Sequence, residues 1–240
     1  MTVNPRGDDP PLRSPGGTTP PYPPGAPSAR PMAETAIVSG ARQPVRVVLA
    51  TRNAHKVAEL NRILADAGFA GQLAGLDEFP DAPDVPETGA TFADNALLKA
   101  RAIAAHTGLP AVSDDSGLTV NALNGMPGIL SARWAGTHGD DHANLELVLG
   151  QLADIDNRDA AFVCVAALVL PDGSREWTTT GVLSGRLTRE PRGTNGFGYD
   201  PIFVPDGMAT TTAELAPEDK DAISHRGRAF RAIAAVVAGL

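Results

Sequence analysis

Two adjacent aspartates, Asp114 and Asp115, stand in the stretch SDDSGL at residues 113–118, directly after apolar residues. Adjacent ionised carboxylates repel each other, so the pair costs stability unless a cation, hydrogen-bond donors or bulk water relieve the repulsion. If residues 110–112 form a strand, the two aspartates lie where that strand ends. These six residues alone leave two interpretations open, an exposed polar turn and a site that holds a cation.

A polar loop with the sequence TRNAHK, residues 51–56, lies between a predicted strand at residues 45–50 and a predicted helix. Asn53 is a suitable N-cap for this helix. Unpaired backbone N–H groups and the positive end of the helix dipole favour an anion at such a loop, and Lys56 adds a mobile cation. The loop lacks the glycines of a Walker A sequence. It therefore indicates an anion site of a different kind.

A second helix is predicted from about residue 92 to residue 106, with Thr91 as its cap. Asn95 and Lys99 are four residues apart and therefore share one face of this helix. A solvated polar face is the ordinary interpretation of such a pair. The nearness of Glu87 and of SDDSGL in the sequence favours a functional site instead.

Two stretches near the C-terminus add groups that could recognise a flat base. Phe197 stands between glycines in GTNGFGYDP, and glycines let a backbone approach a ligand while a ring offers a stacking face. Lys220, His225 and Arg226 supply donors that could read the carbonyl edges of a base. The alternative interpretations are a flexible loop with inward rings and an ordinary charged surface.

The first 44 residues hold 11 of the 21 prolines, and they are predicted to form a disordered extension. Such a segment cannot bury enough apolar surface to offset the entropy of ordering it. Residues 45–240, with 16 basic and 25 acidic side chains, are predicted to form the functional domain. This negative charge makes the domain a poor candidate for binding nucleic-acid polymers, because their affinity comes largely from neutralised phosphates.

The longest apolar run, residues 160–170, is too short to cross a membrane, and the proline-rich extension has no signal-peptide pattern. Cys164 lies inside this run and is predicted to be a buried core thiol. A single cysteine gives no internal disulfide. These features predict a cytoplasmic protein without a membrane partner.

The order of elements that must position these residues predicts an α/β fold. Segments at residues 161–170 and 175–183 flank a Pro-Asp-Gly turn and predict a hairpin, and a helix is predicted at residues 141–152. Because consecutive strands follow strand–helix units, we expect an elongated mixed β-sheet flanked by helices.

Six segments, in order and at matching spacing, resemble the inosine triphosphate pyrophosphatase family, and most closely its bacterial dITP/XTP pyrophosphatases. They cover nearly all of residues 45–240, and the proline-rich extension lies outside the resemblance. The segments are TRNAHK (51–56), ETGATFADNALLKA (87–100), SDDSGL (113–118), GILSARWAG (128–136), GFGYDPIF (196–203) and the region from AEL to SHRGRA (213–229).

The resemblance implies hydrolysis of dITP, ITP and XTP to the monophosphate and pyrophosphate with Mg²⁺. It also implies a chain with two lobes and a central substrate cleft, and the assembly of two such chains into a homodimer. It implies that Glu87 and Asp115 hold the metal and that Asp115 accepts a proton from the attacking water. The residues implied to bind the substrate are Thr51, Arg52, Asn53, Ala54, His55, Lys56, Ser116, Phe197, Gly198, Tyr199, Asp200, Lys220, His225 and Arg226.

Two alternatives stay open at this point. One is a nucleotide-binding regulator that has lost catalysis, and the other is a different metal-dependent phosphohydrolase, acting for example on sugar phosphates. Adjacency alone does not tell which of Asp114 and Asp115 takes the proton, because successive strand positions point to opposite faces.

Overall fold

The computed structural model describes residues 45–237 and residue 239 of the 240-residue chain. The predicted N-terminal extension, residues 1–44, lies outside the described residues. The described part contains a sheet of six strands. The strands are β1 (Arg46–Leu49), β2 (Gln72–Ala74), β3 (Ala111–Val120), β4 (Asp159–Val169), β5 (Glu176–Leu187) and β6 (Phe203–Pro205).

Five α-helices accompany the sheet within residues 45–237, and none of them is long and apolar enough to cross a membrane. They are α1 (Ala54–Asp66), α2 (Phe92–Thr107), α3 (Asp141–Gln151), α4 (Pro217–Ile223) and α5 (His225–Val237). Helix α2 begins at the predicted capping box, in which the side chain of Thr91 accepts from the backbone N–H of Asp94. Its C-cap, Gly108, adopts the left-handed conformation that favours glycine.

The strand order is β2-β1-β3-β4-β5-β6. Strand β1 pairs in parallel with β2 and β3, while β3, β4, β5 and β6 pair antiparallel. The parallel pairs follow from the strand–helix connections at the start of the chain, and the predicted hairpin joins β4 to β5. The predicted mixed α/β sheet with flanking helices is confirmed.

Strand β3 is longer than the sequence suggests. SDDSGL lies inside this strand, where Asp114 and Asp115 pair with Ala166 and Val165 of β4, so the expectation that the strand ends at the aspartates is wrong. Both carboxylates are buried. The strand continues through them because charged and polar side chains from other elements contact each one, as described below.

The buried apolar residues form three clusters. Helices α1 and α5 pack on one face of the sheet, and α2 packs on the other. A third cluster, with Leu118 of β3 and Phe162 of β4, lies farther along the long strands and includes residues of α3. The long strands therefore join two packed regions, and Asp114 to Gly117 lie on β3 between them.

The first strand is short, and this opens a cleft in the sheet. β1 is in register with β3 only at Val48 and Leu49, after which the chain leaves the sheet for the loop at residues 51–53. Ligands of α/β proteins commonly bind beyond the carboxyl ends of parallel strands. Asp115 to Leu118 of β3 line this opening.

Candidate active site

A cavity of about 870 Å³ occupies this opening. It brings together every predicted site residue whose side chain the structure describes, from both ends of the domain. Ala54 and His55 begin α1, but their side chains lie outside what the structure describes. The predicted residues that line the cavity are Thr51, Arg52, Asn53, Lys56, Glu87, Asp115, Ser116, Phe197, Gly198, Tyr199, Asp200, Lys220, His225 and Arg226.

The loop between β1 and α1 is ordered by its own side chains. The side chain of Asn53 accepts from the backbone N–H of Lys56 at 3.1 Å, which caps the helix as predicted. Thr51 Oγ1 accepts from the Asn53 N–H at 3.2 Å. Arg52 points to the rim, where its guanidinium donates to Asp84 and to the carbonyl of Ala82. The loop that leads into α1 is therefore fixed by hydrogen bonds beside the cavity, and the start of a helix favours an anion.

Asp114 lies on the face of β3 that α1 and α5 cover. Its Oδ2 atom accepts from Lys56 Nζ at 2.9 Å, Ser116 Oγ at 3.3 Å and Arg226 Nε at 3.4 Å. Burial alone would raise the pKa of Asp114, but the charges of Lys56 and Arg226 hold it well below its usual range. Asp114 is therefore an ionised anchor for two cations, and its side chain has no exposed surface.

Asp115 lies on the opposite face of the strand, towards α2, and it lines the cavity. Asn95 Nδ2 donates to its Oδ2 at 3.0 Å, and the backbone N–H of Ser116 donates to its Oδ1 at 3.0 Å. Burial raises the pKa of Asp115, Lys99 opposes this rise, and the charge of Glu87 adds to it. The two aspartates thus differ in environment, and the carboxylate with the raised pKa faces the cavity.

Glu87 and Asp115 share one cation. Lys99 Nζ lies 2.5 Å from Glu87 Oε1 and 3.8 Å from Asp115 Oδ1, and Arg133 contacts Glu87 from the other side. Burial would raise the pKa of Glu87, but the charge and hydrogen bond of Lys99, together with the charges of Lys56 and Arg133, lower the pKa below its usual value. Two carboxylates that reach the same ammonium group converge on one point of the cavity.

This donor set fits Mg²⁺. No group of three or more His, Cys, Asp or Glu side chains within the described residues is placed to hold a metal ion. Mg²⁺ does not require such a cage, since it usually binds one or two protein carboxylates and completes its shell with water and substrate phosphates. Glu87 and Asp115 supply two carboxylates, and Lys99 contacts both of them.

The opposite end of the cavity carries residues 197–200, with the ring of Phe197, here called the aromatic wall. Lys220 Nζ lies 4.9 Å from the centre of the Phe197 ring, and Arg226 Cζ lies 5.5 Å from it. Asp200 is buried and accepts from Lys220 Nζ at 2.6 Å, from the Phe197 N–H at 2.8 Å and from Thr212. The oxygens of Asp200 are therefore used to hold the wall and the lysine in place.

Tyr199 is also engaged by the protein. Its hydroxyl donates to the carbonyl of Ser131 at 2.8 Å, and burial together with the charge of Asp141 raises its pKa. The ring is almost fully buried in the third apolar cluster. Tyr199 therefore fixes the wall to the segment around residue 131.

His225 and Arg226 lie in the first turn of α5. The His225 ring stacks on Phe162, with centroids 4.8 Å apart and an interplanar angle of 14°. Burial, with the charges of Arg226 and Lys220, lowers the pKa of His225 well below 6.5. Its Nδ1 makes no hydrogen bond with any described residue, so a neutral imidazole at the cavity retains an unused polar atom.

Arg226 is held by three neighbours. Its guanidinium donates to Glu59, to Asp114 and, at 2.8 Å, to Ser116 Oγ, and the residue is 2 % exposed. Burial would lower the pKa of Arg226, but Glu59 and Asp114 raise it, so the charge is permanent. Cys164 lies beside Asp114 and Arg226 and is buried, as predicted. Burial raises the pKa of its thiol.

Four contributors were not among the predicted site residues. Asn95 and Lys99 do carry a signal, because their spacing places them on one helix face near Glu87. Glu59 carries none, and Arg133 lies within the segment GILSARWAG, whose pattern assigns it no particular role. Their roles depend on contacts with residues 46 and 167 positions away along the chain.

The chain belongs to the Ham1 family, whose sequence model matches residues 47–236. The dITP/XTP pyrophosphatase of Streptomyces coelicolor is 62 % identical over 194 residues, which cover 80 % of this chain and 96 % of the relative. That of Mycobacteroides abscessus is 56 % identical over 192 residues, 79 % of this chain and 93 % of the relative. The resemblance predicted from six segments is thereby confirmed.

Two solved structures of similar proteins have the same fold as this chain. The structure of a HAM1 protein from Coxiella burnetii superposes with a TM-score of 0.74 at 44 % identity, and it covers 82 % of this chain and all of that one. The crystal structure of a nucleoside-triphosphatase / dITP/XTP pyrophosphatase from Mycobacterium abscessus superposes with a TM-score of 0.66 at 55 % identity, and it covers 79 % of this chain and 98 % of that one.

Proposed function

We propose that this chain hydrolyses non-canonical purine nucleoside triphosphates (dITP, ITP and XTP) to the monophosphate and pyrophosphate, and so removes deaminated purines from the nucleotide pool. The observation that carries the proposal is the single cavity with a cationic loop and two carboxylates at one end and an aromatic wall at the other. Relatives named dITP/XTP pyrophosphatases that are about 60 % identical over the whole domain support the same activity.

The phosphate end is formed by α1 and β3. Lys56 and the first amide groups of α1 bind the triphosphate oxygens, since a fixed positive field at a helix start favours an anion. Glu87 and Asp115 would hold Mg²⁺, which supplies charge neutralisation at the α-phosphate and the leaving pyrophosphate. Lys99 keeps the two carboxylates together.

Asp115 accepts the proton of the attacking water. The oxygen of water forms a bond to the α-phosphorus, the bond from that phosphorus to the pyrophosphate oxygen breaks, and the water proton passes to the carboxylate. Asp115 suits this role because it lines the cavity, whereas the side chain of Asp114 has no exposed surface and binds Lys56, Ser116 and Arg226.

Base selection occurs at the other end. Phe197 stacks on the base, while Lys220 and the neutral His225 lie within the same wall. Hypoxanthine and xanthine present a 6-keto oxygen that accepts from N–H donors, whereas adenine presents an amino group. A buried donor that faces this amino group loses its partner, and such a mismatch supports large discrimination.

A substrate panel tests the proposal. Purified protein is incubated with dITP, XTP, dGTP and ATP, with Mg²⁺ or with EDTA, and pyrophosphate and orthophosphate are measured separately. We expect Mg²⁺-dependent release of pyrophosphate, with kcat/KM for dITP and XTP about 100-fold or more above that for ATP. Release from the keto nucleotides no faster than from ATP contradicts the proposal. Orthophosphate as the product indicates another phosphohydrolase, and binding without turnover indicates a regulator.

The resemblance also leads us to propose a homodimer in the cytoplasm. Sedimentation velocity at micromolar concentration, with a mass of 24.8 kDa for one chain, distinguishes the dimer from the monomer.

A further inference from the structure

The loop that carries the aromatic wall, residues 193–200, is rich in glycine. Gly193, Gly196 and Gly198 all have positive φ angles, between 60° and 83°. The backbone is packed against Ala213 at Gly193 and against Asp200 at Gly196, whereas at Gly198 nothing beyond the chain neighbours lies within 4 Å of the place where a Cβ would be. A backbone of this kind orders a stacking ring only if specific contacts fix the peptides on either side of it.

Two successive backbone N–H groups of this loop are bound by two different carboxylates. The N–H of Phe197 donates to Asp200 Oδ2, and the N–H of Gly198 donates to Asp141 Oδ2, each at 2.8 Å. Asp200 belongs to the same loop. Asp141 is 57 residues away in the sequence and is the first residue of α3, so its contact ties the wall to another part of the fold.

Asp141 is not used to cap its own helix. The cap of α3 is Asp140, whose side chain accepts from the backbone N–H of Ala143 at 3.0 Å. Asp141 instead lines the cavity, and its side chain crosses to Gly198. The neighbouring aspartates therefore have separate roles: Asp140 caps the N-terminus of α3, and Asp141 contacts the aromatic wall.

We infer that Asp141 is a positioning residue for base recognition: its carboxylate orients the Phe197–Gly198 peptide and thereby sets the plane of the stacking ring. This inference rests on the proposed function for its effect on catalysis, but the contact itself does not depend on it. Phe197 stands between the two bound amides, so the loss of the Asp141 contact removes one of the two carboxylates that fix the backbone beside its ring. A base then has to order the loop on binding, which weakens its affinity.

The inference predicts an effect on the base and not on the phosphates. In Asp141→Ala, we expect KM for dITP to rise about 3- to 20-fold, with kcat changed less than twofold, since a charge-assisted hydrogen bond is lost at a binding wall. The inhibition constant of inorganic tripolyphosphate, which carries no base, should stay as in the wild type. Asp141→Asn retains an acceptor oxygen and should restore most of the affinity.

The matched control is Asp140→Ala. This variant removes the helix cap, so it should lower the melting temperature without raising KM. If it raises KM as much as Asp141→Ala does, the effect comes from α3 as a whole and the inference is wrong. Equal losses for dITP and tripolyphosphate in Asp141→Ala, or no rescue by Asp141→Asn, would also overturn it.

Amide hydrogen exchange separates this inference from the proposed function. The Gly198 N–H should exchange faster in Asp141→Ala than in the wild type, Asp141→Asn or Asp140→Ala, whether or not the protein hydrolyses dITP. Unchanged exchange at Gly198 means that the tie is absent and refutes the inference. If the wild type shows the tie but no turnover, the proposed function fails while the contact stands.

Discussion

The contrast between Asp114→Asn and Asp115→Asn follows directly from the opposite faces of β3. Asp114 gives one buried oxygen to Lys56, Ser116 and Arg226. Breaking a buried ion pair typically costs about 3–5 kcal/mol, and asparagine retains an acceptor, so we expect about 3 kcal/mol. For a domain of this size, that corresponds to a fall in melting temperature of roughly 6–12 °C.

Asp115→Asn should behave differently. Asparagine can accept from Asn95 or from the Ser116 N–H, but its amide group opposes the second donor, which costs about 1–2 kcal/mol. Turnover of dITP should fall about 10²- to 10⁴-fold, since the general base is lost. Differential scanning calorimetry and pyrophosphate release measure the two effects on the same preparations.

The reasoning is refuted if Asp114→Asn melts at the wild-type temperature, or if Asp115→Asn retains full turnover. A reversed pattern, in which Asp115→Asn unfolds and Asp114→Asn folds normally without activity, would exchange the assigned roles.

Two further predictions concern charged and titratable groups at the cavity. The pKa of His225 is lowered in the folded state. As pH falls below about 6.5, the unfolded chain therefore takes up a proton that the folded chain does not. The free energy of unfolding then falls by up to roughly 1.4 kcal/mol per pH unit. His225→Phe keeps a ring against Phe162 and should lose less stability between pH 7.5 and 5.5, as measured by urea unfolding; an equal loss in both proteins would contradict the buried neutral imidazole. Lys99→Met removes the ammonium group that Glu87 and Asp115 share, so addition of Mg²⁺ should raise the melting temperature of this variant more than that of the wild type. Equal shifts in the two proteins would show that the carboxylates do not converge on a cation site.

Much of the fold can be predicted because the residues that begin and end its helices and turns are close together in the sequence. The capping box at Thr91 and the glycine at residue 108 predict the ends of α2 to within one residue, and the Pro-Asp-Gly turn predicts the β4–β5 hairpin. The strands β2 and β6 are not predicted, since each has three residues, too few to show a period.

The interior of the site cannot be predicted in the same way. SDDSGL suggests a turn or a strand end because its carboxylates repel each other when only neighbours are considered. In the fold, Asp114 contacts Lys56, which is 58 positions away, and Arg226, which is 112 positions away. These distant partners allow β3 to continue through two acidic residues. Sequence spacing gives no measure of such contacts, although the family resemblance identifies most of the residues involved.

A crystal structure with Mg²⁺ and a dITP analogue whose α–β bridging oxygen is replaced by an imido group tests the central claim most directly. The account predicts that the triphosphate lies at Lys56 and the start of α1, with the metal ion on Glu87 and Asp115. The hypoxanthine ring should stack on Phe197. A nucleotide bound in the reverse direction, or a metal held elsewhere than on these two carboxylates, would contradict the account.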